Sequence, residues 1–272
     1  MTLTATTELY GIIGNPVSHS LSPAMHNAAF AALKLNKAYA AFPVTDVAAA
    51  LAGIKALGIR GASVTIPHKQ AVIPYLDTID PVAEKIGAVN TLVVRDNALH
   101  GLNTDWIGAN RALGKIVRLK GGRILLLGAG GSARAIGFGL IEAGAKVTVT
   151  NRTADKAAAL AAELGCPWVP MEDAATLEGD ALVNATSVGM APKSDQSPFP
   201  AKALINFPVV MDIVYSPLET KLLAAARVAR CTVIDGLEML LYQGAAQFEV
   251  WTGLTAPLAV MRQTLIANLP KP

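Results

Sequence analysis

Lys69 lies in the stretch "SVTIPHKQ" (63–70), directly after a proline that ends a run of Val, Thr and Ile. Such residues favour the pleated surface of a strand, and Pro67 has no N–H to carry a ladder further. A lysine at the mouth of a strand, with no acidic neighbour in sequence, is either a solvated surface group or a cation kept for a ligand. Other residues able to do chemistry fall at similar places. Ser18, His19, Ser20 and Ser22 occupy "NPVSHSLSP", Thr65 precedes the lysine, Asn90 stands in "GAVNTL" and Asp105 in "GLNTDW". Each also has an ordinary structural use: Ser22 before Pro23 starts a helix, Asp105 caps one, and Asn90 satisfies a turn. Taken singly, none identifies a site.

A second constellation is more specific. "GAGGSA" (128–133) places Gly128, Gly130 and Ala133 in the G-x-G-x-x-(G/A) arrangement. The first glycine permits a tight turn, the second lets backbone approach a pyrophosphate, and the small third residue allows close helix–strand packing. An apolar strand, 124–127, precedes the turn, an alanine-rich helix follows, and a further strand, 147–150, comes after. In that context the helix N-terminus offers N–H groups and positive dipole to phosphates. About 20 residues on, NAD sites carry an acid for the ribose 2′-hydroxyl. Here the strand ends in "TNRT", with Asn151, Arg152 and Thr153 and no carboxylate, and Lys156 one turn later. A guanidinium takes a 2′-phosphate bidentately where a carboxylate would repel it, so the spacing points to NADP(H).

The elements that must position these residues alternate along the chain. "LYGIIG" reads as a strand, "SPAMHNAAFAALKL" as a helix, "KAYAAFPV" as extended and "DVAAALAGIKALG" as a helix ending at Gly58. "GASVTI" is extended again and "VNTLVVRDN" is a hairpin arm. The alternation predicts parallel strands with helices on the sheet faces. Near residue 120 the pattern restarts, and Gly121–Gly122 marks a seam. "EMLLYQGAAQFEVWTG" and "PLAVMRQTLIANL" are helical and have no strand after them, so they must return to something earlier. The expected fold is two α/β domains with a cleft between them.

Composition bounds the function. The chain of 272 residues carries 52% hydrophobic and 16% charged residues and a net charge of +3. This is a globular composition, and without a basic run it gives no footprint for nucleic acid. Cys166 and Cys231 have neither disulfide-framework nor zinc spacing and read as small hydrophobes in a reducing compartment. The N-terminus lacks the pattern of a signal peptide, and the longest uncharged stretch is broken by Ser, His, Asn and Pro. A soluble cytoplasmic protein is expected, with no membrane partner and no metal.

Taken together, "GNPVSHSLSP", "VTIPHK", "GAVNT", "NTD", "GAGGSA", "NRT", "NATSVGM", "DIVYSPLET" and "LLYQGAAQFEVWTG" resemble the shikimate dehydrogenases in sequence order, from about residue 10 to 253. The resemblance implies NADPH-dependent reduction of 3-dehydroshikimate to shikimate, on the route to chorismate and the aromatic amino acids. It implies a substrate-binding domain over 1–105, rejoined by 238–272, and a Rossmann-type NADP-binding domain over 106–237. Ser20 and Ser22 would bind the substrate carboxylate, with Tyr215 nearby. Thr65, Asn90, Asp105 and Gln243 would hold ring hydroxyls, and Lys69 with Asp105 would form the catalytic pair. Gly128, Gly130, Gly131, Ser132, Ala133, Asn151, Arg152, Thr153 and Lys156 would hold the nucleotide. Residues 184–190 would line the nicotinamide side, Thr186 among them, with Ile213 and Gly236 completing the cofactor set.

The chain departs from the common family pattern at Ser63, where asparagine is frequent, at Trp106, where glycine is frequent, and at Lys156 in place of arginine. His68 occurs in only part of the family and is given no catalytic role. Three rival readings stand beside the main one: a quinate or dual quinate/shikimate dehydrogenase, with NAD or NADP, a relative acting on aminoshikimate, and a nucleotide-binding regulator without catalysis. The presence of both Lys69 and Asp105 speaks against the regulator. The family contains monomers and homodimers.

Overall fold

The strand–helix alternation is realised throughout the computed structural model, which describes residues 3–269. The chain divides into two compact units, one taking in the chain through Thr104 together with Gln243–Leu269, the other Asp105–Tyr242.

In the first unit the order is β1 (Glu8–Gly14), α1 (Ser22–Ala32), β2 (Lys37–Pro43), α2 (Val47–Ala56), β3 (Gly61–Val64), β4 (Thr78–Ile79), α3 (Pro81–Ile86), β5 (Thr91–Arg95) and β6 (Ala98–Leu102). These strands form one sheet in the order β2-β1-β3-β5-β6-β4. Local chemistry marks the boundaries. Asp46 caps α2 by accepting from Ala49 N at 3.0 Å, and Gly58, at φ +66°, turns the chain out of it.

The sheet is not all parallel. β3 pairs antiparallel with β5, and β5 with β6. The reason is the turn between them: Arg95 pairs with Ala98, leaving Asp96 and Asn97 as a two-residue loop at φ +50° and +61°. Asp and Asn tolerate that left-handed backbone, and the resulting hairpin reverses the strand.

One face of this sheet buries Ile13, Leu51, Ile54, Val64, Leu92 and Leu99. Aromatic side chains gather elsewhere in the unit, where Tyr10, Phe30 and Trp251 pack with ring centroids 5.4–5.6 Å apart around Tyr10. Trp251 belongs to α9 (Gly236–Thr252), which is followed by α10 (Leu258–Ala267), and α10 packs on α1. The Trp251 indole N–H donates to Leu92 O at 2.9 Å, and a Cβ on Gly61 would collide with the same ring. Burial of Phe248 and Trp251 contributes roughly 2–3 kcal/mol each to this docking. The C-terminal helices therefore return to the first unit, as their lack of a following strand requires.

The second unit comprises α4 (Asp105–Leu113), β7 (Arg123–Leu127), α5 (Gly131–Glu142), β8 (Lys146–Thr150), α6 (Ala154–Leu164), α7 (Met171–Ala174), β9 (Ala181–Asn184), β10 (Val209–Asp212), α8 (Lys221–Val228), β11 (Thr232–Ile234) and the start of α9. Its five strands are parallel, in the order β11-β10-β9-β7-β8. Ile124 and Leu126 face one core while Leu125 and Leu127 face another, so β7 is buried on both sides. The strand order reverses at β7, the place where doubly wound sheets bind ligands. Gly121–Gly122 lies inside this unit and not at its edge. α4, which precedes the diglycine, already packs on α5, with Asn110 Nδ2 donating to Gly139 O at 2.7 Å. No helix among the described residues is long and apolar enough to cross a membrane.

Candidate active site

In the first unit the polar candidates stand where β1 and β3 end. Ser22 is the first residue of α1 and is buried. The hydroxyl of Ser20 accepts from its N–H at 3.2 Å, so Ser20 closes the turn that leads into the helix starting at Ser22. Thr65 follows β3, its N–H donating to Ile13 O at 3.0 Å, and its methyl lies where a Cβ on Gly14 would go. That close approach is what demands glycine at the end of β1. His68 is buried and its Nε2 donates to Val44 O at 2.8 Å, a structural use in keeping with no catalytic role. Lys69 is half-buried, and its carbonyl accepts from Val89 N at 2.8 Å.

That bond sets the lysine backbone beside Asn90, which is 2% exposed. Asn90 Oδ1 accepts from Thr104 N at 2.8 Å and from Thr91 Oγ1 at 2.7 Å. A backbone N–H only donates, so the oxygen must face it, and the amide NH2 points the other way. The NH2 donates to Gln243 Oε1 at 3.4 Å, while the Thr104 hydroxyl lies between the two amide atoms, 3.1 Å from Nδ2 and 3.2 Å from Oδ1. Two candidates 153 residues apart in sequence are thus side by side.

Asp105 and Tyr215 belong to the second unit. Asp105 is the first residue of α4 and is buried, directly after the Thr104 that holds Asn90. Tyr215 is half-buried past β10, and burial raises its phenol pKa above the usual value.

The glycine turn has the form its spacing predicts. Gly128 sits at φ +120° with its N–H on Thr150 O at 2.8 Å. Gly130 caps α5 with extended backbone and no side-chain cap. A Cβ built on Gly130 or Gly131 meets nothing within 4 Å, which leaves an open cradle over the first turn of a twelve-residue helix. Such a turn offers uncovered N–H groups to a pyrophosphate. Ser132 is half-buried and Ala133 fully buried against the sheet.

At the end of β8, Asn151 Nδ2 donates to Thr153 O at 3.0 Å and shapes the turn into α6. Arg152, Thr153 and Lys156 are exposed there, and Arg152 forms no ion pair among the described residues. A cradle for phosphates with an uncommitted guanidinium beyond it fits NADP(H).

At the ends of β9 and β10, Asn184 Nδ2 donates to Asp212 Oδ1 at 2.9 Å. Asp212 also accepts from Val214 N at 3.0 Å and Thr220 Oγ1 at 2.7 Å, yet burial prevails and raises its carboxyl pKa. Asn184 Oδ1 in turn receives Thr186 N at 3.0 Å and Thr186 Oγ1 at 2.7 Å. One buried carboxylate therefore orders the 184–188 loop. Ile213 N donates to Asn184 O at 3.1 Å. Gly236 presses on the backbone of Ile213 and Val214, so packing alone requires glycine there.

The residues that hold these candidates escaped the sequence reading. Gln247, Thr91, Thr104, Tyr39 and Asp212 are all buried and hydrogen-bonded around them. One signal was available: Gln243 and Gln247 stand four apart, on one face of an otherwise apolar helix.

Comparison with known proteins covers both units. Residues 12–92 match the shikimate dehydrogenase substrate binding domain, 109–191 the shikimate / quinate 5-dehydrogenase model, and 236–266 the shikimate 5'-dehydrogenase C-terminal domain. A shikimate dehydrogenase (NADP+) of Moorella thermoacetica is 50% identical over 275 residues, covering 96% of this chain and 93% of the relative. A crystal structure of a shikimate dehydrogenase in complex with NADP+ superposes with a TM-score of 0.94 at 42% identity, covering 99% of this chain and 98% of the other. That of Thermus thermophilus, with NADP(H) and shikimate, gives 0.89 at 40% identity, covering 96% and 100%. With the nucleotide cradle of one unit, the polar strand ends of the other and these matches in agreement, the chain belongs to the shikimate dehydrogenase family.

Proposed function

We propose that the protein catalyses the reversible NADPH-dependent reduction of 3-dehydroshikimate to shikimate. The observation that carries the reading is the pairing of the amides of Gln243 and Asn90, the latter next in the chain to Val89, whose N–H donates to the Lys69 carbonyl. A polyhydroxy ketone requires amides for its hydroxyl groups and a donor cation for its carbonyl, the role this reading gives to Lys69. Relatives named as NADP+ enzymes, and a neighbour solved with NADP(H) and shikimate, support it.

Bound NADPH supplies the hydride that reduces the ketone carbon. The Lys69 ammonium donates to the carbonyl oxygen, stabilises the charge that develops there, and passes its proton to the alkoxide. Asp105 orients that ammonium and accepts from a neighbouring hydroxyl. Asn90, whose amide is held by Thr104 N and the Thr91 hydroxyl, serves with Thr65 and Gln243 at the other hydroxyls. Ser20 and Ser22, with Tyr215, take the carboxylate. Arg152, aided by Lys156, meets the 2′-phosphate, and the bare backbone at Gly130 and Gly131 admits the pyrophosphate. The reading places the enzyme in the cytoplasm with its soluble substrate and cofactor.

Initial rates with shikimate and quinate, each with NADP+ and NAD+, test the proposal. Fast turnover confined to shikimate with NADP+ is expected. Comparable rates with quinate or NAD+ would move the protein to dual specificity, and silence in all four pairings would reject the assignment.

A further inference from the structure

Gln247 is 1% exposed, one turn after Gln243 on α9. Its Nε2 donates to Asn90 O at 3.1 Å and to Thr91 Oγ1 at 3.0 Å. A carbonyl only accepts, so this fixes the amide, and Gln247 Oε1 must accept; it does so from Ser63 Oγ at 2.8 Å. Ser63 in turn accepts from Tyr39 OH at 2.6 Å, and Ser22 also bonds that tyrosine. At the other end Thr91 Oγ1, having accepted from Gln247, donates to Asn90 Oδ1 at 2.7 Å. The hydrogen bonds run in one direction from Tyr39 through Ser63, Gln247 and Thr91 to Asn90. Serine at 63 is short enough to leave the glutamine this place.

We propose that Gln247 is a positioning residue for substrate: it holds Thr91 as a donor to Asn90 Oδ1 and so, together with Thr104 N, keeps the Asn90 amide in the one orientation that a substrate hydroxyl meets. The inference rests on the proposed role of Asn90. Removing Gln247 frees the Thr91 hydroxyl to rotate and the Asn90 carbonyl to lose a donor, in a buried setting where misoriented polar groups are costly. No contact between Gln247 and substrate is involved.

The test compares KM for shikimate and for NADP+ in wild type, Gln247→Met, Thr91→Val, Thr91→Ser, Asn90→Ala and the Asn90→Ala/Gln247→Met pair. Gln247→Met keeps the length of the side chain, and is expected to raise the shikimate KM about tenfold, the scale of one lost buried hydrogen bond, with the NADP+ KM unchanged. Thr91→Val should do the same while Thr91→Ser, which keeps the hydroxyl, stays near wild type. In the Asn90→Ala background the Gln247 change should add little, because its effect passes through that amide. An additive double variant, equal rises in both KM values, or an unchanged shikimate KM in Thr91→Val would each overturn the proposal. The Thr91 pair decides the matter if Gln247→Met does not fold. A wild-type enzyme active on shikimate but indifferent to Asn90→Ala would refute the positioning role while sparing the activity; a wild type inactive on shikimate would refute both.

Discussion

Gly128 lies against the end of β9 so closely that a Cβ on it would stand 3.1 Å from the carbonyl oxygen of Ala185. Two residues on, at Gly130, the same atom would meet nothing, and the backbone there has φ −88°, open to any residue. The two glycines of one turn are thus kept for different reasons. The first is required by the fold, with left-handed backbone as well as close packing; packing makes no such demand on the second.

Gly130→Ala is therefore expected to fold, losing no more than about 1 kcal/mol at the helix cap, and to lose NADP+ binding by about a hundredfold, as backbone contact with the pyrophosphate is blocked. Gly128→Ala is expected to destabilise the protein by roughly 1–3 kcal/mol through backbone strain. Thermal unfolding and nucleotide titration of the two variants separate these outcomes. Unimpaired binding in Gly130→Ala would remove the pyrophosphate from that cradle.

Arg152 is exposed at the end of β8 with no carboxylate at the strand end to receive a ribose hydroxyl. Arg152→Ala should raise the NADP+ KM by about ten- to a hundredfold, the worth of a charge-assisted hydrogen bond, and leave the NAD+ KM unchanged. Steady-state kinetics with both cofactors at saturating shikimate measure it. Equal effects on the two would mean that Arg152 does not read the 2′-phosphate.

His26 is fully buried in the first unit, stacked on Tyr39 with ring centroids 4.6 Å apart. The Gln247 amide lies close, but neither ring nitrogen has a hydrogen-bond partner of normal geometry, and burial pushes the imidazole pKa down from 6.5 to about 3. A base whose folded pKa is depressed contributes stability that is present above its unfolded value and lost as pH falls toward the folded one. Between pH 6.5 and about 3, wild type should therefore lose stability relative to His26→Phe. The limiting slope is about 1.4 kcal/mol per pH unit. Denaturant unfolding of both proteins across that window reads the difference, and parallel pH profiles would contradict it.

Much of this architecture is legible in the sequence because it rests on local signals. The continuous apolar run at 124–127, glycines at turns and Asp46 before an alanine-rich run each act within a few residues. The reversal at Asp96–Asn97 was visible as a hairpin, yet its consequence for the sheet was not, since pairing of β3 with β5 depends on the whole unit. Asn90 and Lys69 were recognisable as chemistry-bearing types, but what orients them was hidden. The groups around Asn90 come from Thr104 and, 153 and 157 residues away, from Gln243 and Gln247. The family resemblance implies a cofactor contact at Gly236, while its packing on Ile213 is a separate demand that only the folded chain displays.

The most direct test of the account is kcat for shikimate oxidation by Lys69→Ala, with KM for shikimate measured alongside. Loss of a positioned proton donor at the reacting oxygen should lower kcat by about 10²–10⁴-fold and change KM only a few-fold. A kcat near the wild-type value would mean that Lys69 is a surface lysine, and that the chemistry of the strand ends is done by another group.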